Sequence, residues 1–420
     1  MQILYSFLYT CALAVSLPYF LMIGLIRGKY LSTIRQRLGF ISLRSSRPSI
    51  WVHAVSVGEF LAAKSIIKGI QAEFAEAPLF VSTTTITAQR LARDLLPDSS
   101  FYFPFDWKWC HRRVFRLLRP KLILVLETEI WPNFLWEAER NQVPVILVNG
   151  RISDRSYAGY RIVRRWMPQF QECYMQSEED AVRMEALGAS RVEVTGNLKY
   201  DFHPPSLVPA LRLMLSEWKQ SHLLWIAGST MKNEEEIVVD VFCALRSHYP
   251  LKLLIAPRHP ERFDEVARLV AANGIEPARR SENLRGDADV MILDSIGELA
   301  ACYEVADLAL IGGTLTPLGG GHNPIEPAYF GKPIIAGRYY ANFRSIFEEF
   351  RRREAIRISE DLKLSVQELL QDPDGRRKMG ESAAQIVKEN SGATEKVLQA
   401  VRRHLHAGNM VESISKLSIR

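Results

Sequence analysis

The stretch Trp51-Val-His-Ala-Val-Ser-Val-Gly-Glu59 decides how the chain is read. A short apolar run, a Ser/Gly turn and a carboxylate opening the amphipathic segment Phe60 to Phe74 predict strand, turn and helix in succession. In an open parallel sheet the ligand crevice lies outside the carboxyl ends of the strands, so Glu59 stands where an α/β enzyme places a reactive group. The same position also suits an acid that only complements the helix dipole. Local pattern leaves both readings open.

Outward from this turn, apolar runs alternate with helical patterns, as in parallel sheets. Ser49 to Val55, Leu79 to Thr83, Leu122 to Leu126, Val145 to Val148, Cys173 to Gln176 and Val192 to Thr195 read as strands of a first half. Asp201 to Ser206, with His203-Pro-Pro205, breaks the pattern and reads as a linker. The alternation then restarts, with strands at Leu223 to Ala227, Leu251 to Ala256, Val290 to Asp294, Leu308 to Gly312 and Pro333 to Ala336. Two consecutive Rossmann-like halves on a Pro-rich hinge imply an inter-domain cleft as the ligand site. Neither half opens on GxGxxG, which disfavours a dinucleotide.

Composition agrees with two domains: the chain has 420 residues, 47% of them hydrophobic. Its five cysteines are scattered without a CxxC or Cys/His cluster, which indicates a reducing compartment and no zinc site. The net charge is +6, with basic residues gathered at Arg112 to Lys121, Arg151 to Arg165 and Arg351 to Arg357. Such patches suit anionic partners such as lipid head groups. Nucleic acid is disfavoured, because no aromatic RNA-binding signature or recognition-helix pattern accompanies them. Residues 1–26 carry no charge and are followed by Arg27, Lys29, Arg35 and Arg37. This predicts an uncleaved spanning anchor with the remaining chain on the cytoplasmic side, an interfacial helix being the competing reading. A cleaved signal peptide would place its positive charges ahead of the apolar core.

Several motifs carry chemistry. Ala256-Pro-Arg258-His-Pro-Glu261 ends a strand and opens a helix, so Arg258 reads as a phosphate or carboxylate ligand, or else as a surface arginine. Gly312 to Pro327, GGTLTPLGGGHNPIEP, runs a glycine loop into a helix start whose free N–H groups suit a phosphate. Glu326 would repel that phosphate and is better matched to ribose hydroxyls. Leu126-Glu127-Thr-Glu129-Ile-Trp-Pro-Asn133 places two acids after a strand, as crevice groups or as helix N-terminal acids. Lys199, in Gly196-Asn-Leu-Lys-Tyr-Asp201, could neutralise a donor substrate or simply be solvated. Asp287-Ala-Asp289 has metal-ligand spacing but precedes a strand, so it reads as a solvated loop. His53 reads as a core histidine, and His322 as a residue of loop shape or donor contact.

In order, WVHAVSVGE, LETEIWPN, GNLKYD, PRHPER, GELAACYEVADLALIGG and GGGHNPIEP closely resemble the 3-deoxy-D-manno-octulosonic acid (Kdo) transferases of lipopolysaccharide biosynthesis, over nearly the whole chain. The resemblance implies the GT-B fold, an α/β architecture of two Rossmann-like domains facing across a cleft, with an N-terminal membrane helix. On that basis residues 1–26 are the anchor, 27–205 an acceptor domain and 206–420 a CMP-Kdo donor domain that includes the C-terminal helices. The implied reaction is inverting, metal-independent and cofactor-free transfer of Kdo from CMP-Kdo to the lipid A precursor, lipid IVA. Glu59 would be the general base, with Glu129, in preference to Glu127, and Lys199 assisting the transition state. Pro257, Arg258, Ile296, Gly297, Glu298, Asn323, Pro324, Ile325 and Glu326 would bind CMP. The implied partners are CMP-Kdo, the lipid A precursor in the membrane and an anionic membrane surface, with no nucleic acid. The implied location is the cell inner membrane, by a single-pass anchor with cytoplasmic catalytic domains. Two competing readings are another GT-B enzyme or epimerase using a UDP-sugar, and a non-catalytic protein that binds anionic lipid.

Overall fold

The run Ser49–Ala54 is a strand (β1) buried along its whole length. Its alternate side chains feed two cores. Ile50, Val52 and Ala54 pack with Phe60, Ala63, Ile66 and Ile67 of the helix Val57–Glu73. Trp51, on the other face, packs with Val114, Phe115, Phe134 and Leu135. A strand covered on both faces is the reason this stretch reads as a near-continuous apolar run. The computed structural model describes residues 2–27, 31–282 and 288–417. Asp287, and with it the Asp287-Ala-Asp289 spacing, lies outside the described residues.

β1 belongs to a parallel sheet with β2 (Leu79–Thr83), β3 (Ser100–Tyr102), β4 (Pro120–Leu126), β5 (Val145–Gly150), β6 (Glu172–Met175) and β7 (Val192–Val194), in the order β3-β2-β1-β4-β5-β6-β7. Strand order reverses between β1 and β4, which pair with Trp51 opposite Ile123 and His53 opposite Val125. The second parallel sheet contains β8 (Leu223–Thr230), β9 (Leu251–Pro257), β10 (Ala278–Arg279), β11 (Val290–Ile292), β12 (Leu308–Ile311), β13 (Ile334–Ala336) and β14 (Arg357–Ile358). Its order is β10-β11-β9-β8-β12-β13-β14, with the reversal between β8 and β12. Every strand anticipated from the sequence is present. β3, β10 and β14 were not anticipated; they are edge strands of three, two and two residues. Runs that short carry no measurable periodicity.

The compact units are Met1–Asp201 with Ser391 onward, and Phe202–Asn390. The expected break at 205/206 is thus close, but the last helix, Ala393–Leu417, belongs to the first unit and not to the donor domain expected over 206–420. Ala393, Val397, Leu398, Ala400 and Val401 enter the same core as β1. Asp201 fixes the start of this segment by accepting from the Gly392 and Thr394 N–H groups.

The N-terminal segment forms a helix, α1 (Gln2–Arg27), but the spanning anchor expected there is not supported. Among the described residues no helix is long and apolar enough to cross a membrane. The first turns of α1 are instead docked on the first unit. The Tyr5 hydroxyl donates to Asp106 (2.8 Å), Ser6 pairs with Asn133 (3.2 Å), and Tyr9 accepts from the Asp106 N–H (3.1 Å). Side chains tied to a folded domain in this way do not lie in hydrocarbon. The opposite face exposes Ile3, Leu4, Phe7, Leu8 and Val15.

Candidate active site

At the carboxyl end of β1 the sequence Ser56-Val-Gly-Glu59 folds as a capping box. Ser56 caps the helix Val57–Glu73, accepting from the Glu59 N–H at 3.3 Å. The Glu59 carboxylate reaches back, accepting from the Val55 N–H at 2.6 Å and from the Ser56 hydroxyl at 2.8 Å. Glu59 is 7% exposed. Burial pushes its carboxyl up to about 7; the Val55 N–H opposes this and the charge of Glu127 adds to it. A helix-dipole acid would shift the other way.

At the carboxyl end of the adjacent β4, the chain turns sharply at Glu127, which takes the left-handed conformation (φ +55°). A non-glycine residue there stores backbone strain of about 1 kcal/mol or more. Its turn is pinned from both sides. The Glu127 N–H donates to the Val148 carbonyl at 2.8 Å. The Thr128 hydroxyl donates to the Arg151 carbonyl at 2.6 Å, and the Tyr160 hydroxyl to the Thr128 carbonyl at 2.8 Å. Burial raises the Glu127 carboxyl, held back by Lys199 and Arg151. Glu129 is pushed up to about 7 by burial, then by Glu59, with the Trp131 indole opposing and Glu127 adding. Glu59, Glu127 and Glu129 are therefore one electrostatic cluster at the switch point of the first sheet.

Lys199 joins it from the turn Leu198–Tyr200, with its ammonium disfavoured by burial and favoured by Glu127. Asn149, left-handed at φ +59°, accepts from the Leu198 N–H at 3.0 Å, and Asn197 accepts from the Lys199 N–H at 3.0 Å. Neither asparagine was singled out from the sequence, although Asn149-Gly150 after an apolar run is a signal for a special backbone turn. His53 is a core histidine: fully buried, stacked on Phe103 at 3.8 Å and bonded through Nδ1 to the Ser82 hydroxyl at 2.9 Å. Burial pulls it down to about 3.

In the second unit the expected nucleotide-binding residues stand at the carboxyl ends of β9, β11 and β12. Pro257 closes β9 and is buried, while Arg258 is exposed, its N–H donating to the Thr230 carbonyl at 2.9 Å. Arg258 shares an electrostatic neighbourhood with Glu326 and His322. Burial pushes Glu326 up to about 7, with Asn323 and Arg258 opposing, and pulls His322 down to about 4 with help from Arg258 and His259. The Asn323 carboxamide also accepts from the Ile325 N–H at 3.1 Å, closing the turn at Pro324. Ile296 is 82% exposed and Gly297 left-handed, whereas the Glu298 carboxylate is engaged by Arg280 at 3.0 Å and by Ser295.

The glycine loop after β12 does not offer all the free N–H groups expected of it. Gly313 N–H donates to Glu234 at 2.6 Å, Leu315 N–H to the same carboxylate at 2.7 Å, and Gly321 N–H to the Gly313 carbonyl at 2.7 Å. Glu234 is fully buried and follows β8, the other strand at the second switch point. Sequence reading passed over it. Glu234-Glu-Glu236 ahead of an apolar run looks like ordinary acid enrichment at a helix start.

Two parallel-sheet α/β units, each with its polar groups at a topological switch point, resemble the GT-B architecture. The solved structure of MurG from Acinetobacter baumannii shares this fold at a TM-score of 0.56 and 12% identity, covering 85% of this chain and 99% of that one. The family model for 3-deoxy-D-manno-octulosonic-acid transferase (kdotransferase) matches residues 32–202. The 3-deoxy-D-manno-octulosonic acid transferase of Haemophilus influenzae is 32% identical, over 96% of this chain and 99% of its own length. That of Bordetella pertussis is 30% identical, over 87% and 90%. The chain belongs to the Kdo transferase family.

Proposed function

We propose that the enzyme transfers Kdo from CMP-Kdo to the lipid A precursor, with inversion and without a metal. The observation that carries this reading is the buried Glu59, held near neutrality beside Glu127 and Glu129 at the carboxyl ends of β1 and β4. A carboxylate of that basicity can take the proton of a sugar hydroxyl as the oxygen attacks the anomeric carbon of Kdo. As the new C–O bond forms, the bond from that carbon to the phosphate of CMP breaks, and CMP leaves with the electron pair. Oxocarbenium character in the ketose ring favours nearby carboxylates, which is the part given to Glu129. Lys199 keeps the cluster from repelling an anionic substrate. Arg258 is assigned to the phosphate of CMP, with Asn323 and Glu326 on the nucleoside and Pro257, Ile296 to Glu298, Pro324 and Ile325 lining its site. A monophosphate leaving group demands less neutralisation than a diphosphate, a task assigned to Arg258.

The acceptor is an acylated, bisphosphorylated disaccharide held in a bilayer. The exposed apolar face of α1 (Ile3, Leu4, Phe7, Leu8, Val15) supports attachment to a bilayer surface, the helix lying in the interface; the cytoplasmic face of the inner membrane is the location assigned to it. Incubation with CMP-Kdo and the lipid A precursor, followed by mass spectrometry, tests the reaction: a gain of one or more Kdo units supports it, and product only with UDP-sugars ends it. Vesicle sedimentation that persists after Phe7→Ser and Leu8→Ser together would remove α1 from membrane attachment.

A further inference from the structure

Asp106 is fully buried and lies outside the carboxylate cluster. Its Oδ2 accepts from the Tyr5 hydroxyl of α1 at 2.8 Å and from the Asn133 N–H at 3.1 Å. Its Oδ1 accepts from the Phe134 N–H at 2.9 Å and stands 2.9 Å from His111 Nε2. Its carbonyl accepts from the Asn133 carboxamide at 2.6 Å, and its N–H donates to the Tyr9 hydroxyl at 3.1 Å. Asn133 and Phe134 lie in the first turn of the helix Pro132–Arg140, which follows Glu129 by three residues. The carboxylate therefore satisfies the open N–H groups of the helix end that carries the Glu127 to Trp131 loop. Trp131 itself, at the N-cap, supplies no side-chain cap, so the task falls to a residue remote in sequence. α1 grips the same place twice more: Ser6 pairs with Asn133 at 3.2 Å, and Trp107 donates to Thr10 at 2.9 Å.

We propose that Asp106 is a positioning residue for the transfer reaction, joining α1 to the first turn of the 132–140 helix and so setting the place of Glu129. The inference rests on the Kdo-transfer reading above. Two of the bonds that hold this carboxylate are made to main-chain N–H groups of the loop-bearing helix, and one to α1. Release of the α1 bond leaves Oδ2 to the Asn133 N–H alone while His111 and the Phe134 N–H still hold Oδ1, so the carboxylate can shift about that anchor and carry the helix end with it. A displacement of about 1 Å is enough to slow a reaction that depends on alignment.

The test compares Tyr5→Phe, Asp106→Asn and, as a stability control in the same unit, Met184→Ala, each in the full chain. Steady-state Kdo transfer is expected to lose about tenfold in kcat in Tyr5→Phe and more in Asp106→Asn, with KM for CMP-Kdo unchanged. Amide exchange is expected to quicken at Asn133 and Phe134 in both. Turnover within twofold of wild type in both variants, or an equal loss in Met184→Ala at matched stability, overturns the proposal. Absence of transfer by the wild-type enzyme overturns the reaction instead; exchange at Asn133 and Phe134 then decides the positioning link, and unchanged exchange refutes it.

Discussion

Glu59 serves as helix cap and as candidate base with one carboxylate, because its two oxygens offer about four acceptor sites and the bonds from Val55 and Ser56 do not fill them. The capping box therefore does not remove it from chemistry. Glu59→Gln preserves the box and deletes the base, so transfer should fall about 10²- to 10⁴-fold while calorimetry records unchanged CMP binding. Transfer by the wild type should rise with pH through about 7, as Glu59 ionises. Stability should move the opposite way. The folded state holds the Glu59 proton more tightly than the ordinary carboxylate value of 4.5, so this contribution is whole below that value and is lost as pH rises through about 7. The decline in Tm from about pH 5 to about pH 8 should accordingly be shallower in Glu59→Gln than in wild type; an equal decline would show that Glu59 is ionised without penalty. Glu59, Glu129, Lys199 and Arg258 could be chosen from the sequence because each stands just past a recognisable strand. Asp106, Asn149 and Glu234 could not, since their roles depend on partners 27 to 101, 49 and 79 to 81 residues away.

The loop between β12 and β13 shows what glycine is needed for. A Cβ at Gly319 would fall 2.3 Å from the Gly313 Cα, and one at Gly313 would fall 2.9 Å from the His322 ring. The two glycines allow the loop to fold on itself and bring His322 and Glu326 into the electrostatic neighbourhood of Arg258. Gly319→Ala must separate these backbones, with an expected loss of about 1–3 kcal/mol in stability and at least about tenfold in CMP affinity. Titration calorimetry checks this; wild-type affinity would mean that the loop's inner turn has no part in nucleotide binding. The glycines announced a loop in the sequence, but the sequence could not say that a buried carboxylate holds it. At the N-terminus, hydropathy likewise saw an apolar segment. It could not see that Tyr5, Ser6 and Tyr9 turn one face of α1 onto a folded partner.

The two units are linked twice by the chain, once at Asp201 and again at Asn390, and the second passage returns the last helix to the first unit. Gly69 permits this helix to approach closely, since a Cβ there would meet Leu398 at 2.6 Å. Arg402 reinforces the contact by a two-pronged bond to Glu73, at 2.8 and 2.7 Å. Val397 is fully buried in the core that supports β1. Val397→Asp places an unpaired charge there and should cost the first unit about 3 kcal/mol or more, lowering its Tm and the transfer rate. CMP binding by the second unit should survive. If it is lost in step with the first transition, the two units do not unfold separately.

Strand and helix alternation, the restart after residue 206 and the crevice positions of the acids are local properties, written in side-chain periods of a few residues and in turn chemistry. Those were in the amino-acid order itself. Strand order, the return of the last helix, the docking of α1 and the near-neutral titration of Glu59 and Glu129 arise from groups that meet only when the chain is packed. Burial and neighbouring charge are properties of the assembled interior, so no inspection of the Glu59 turn alone could give the direction in which its carboxyl is shifted.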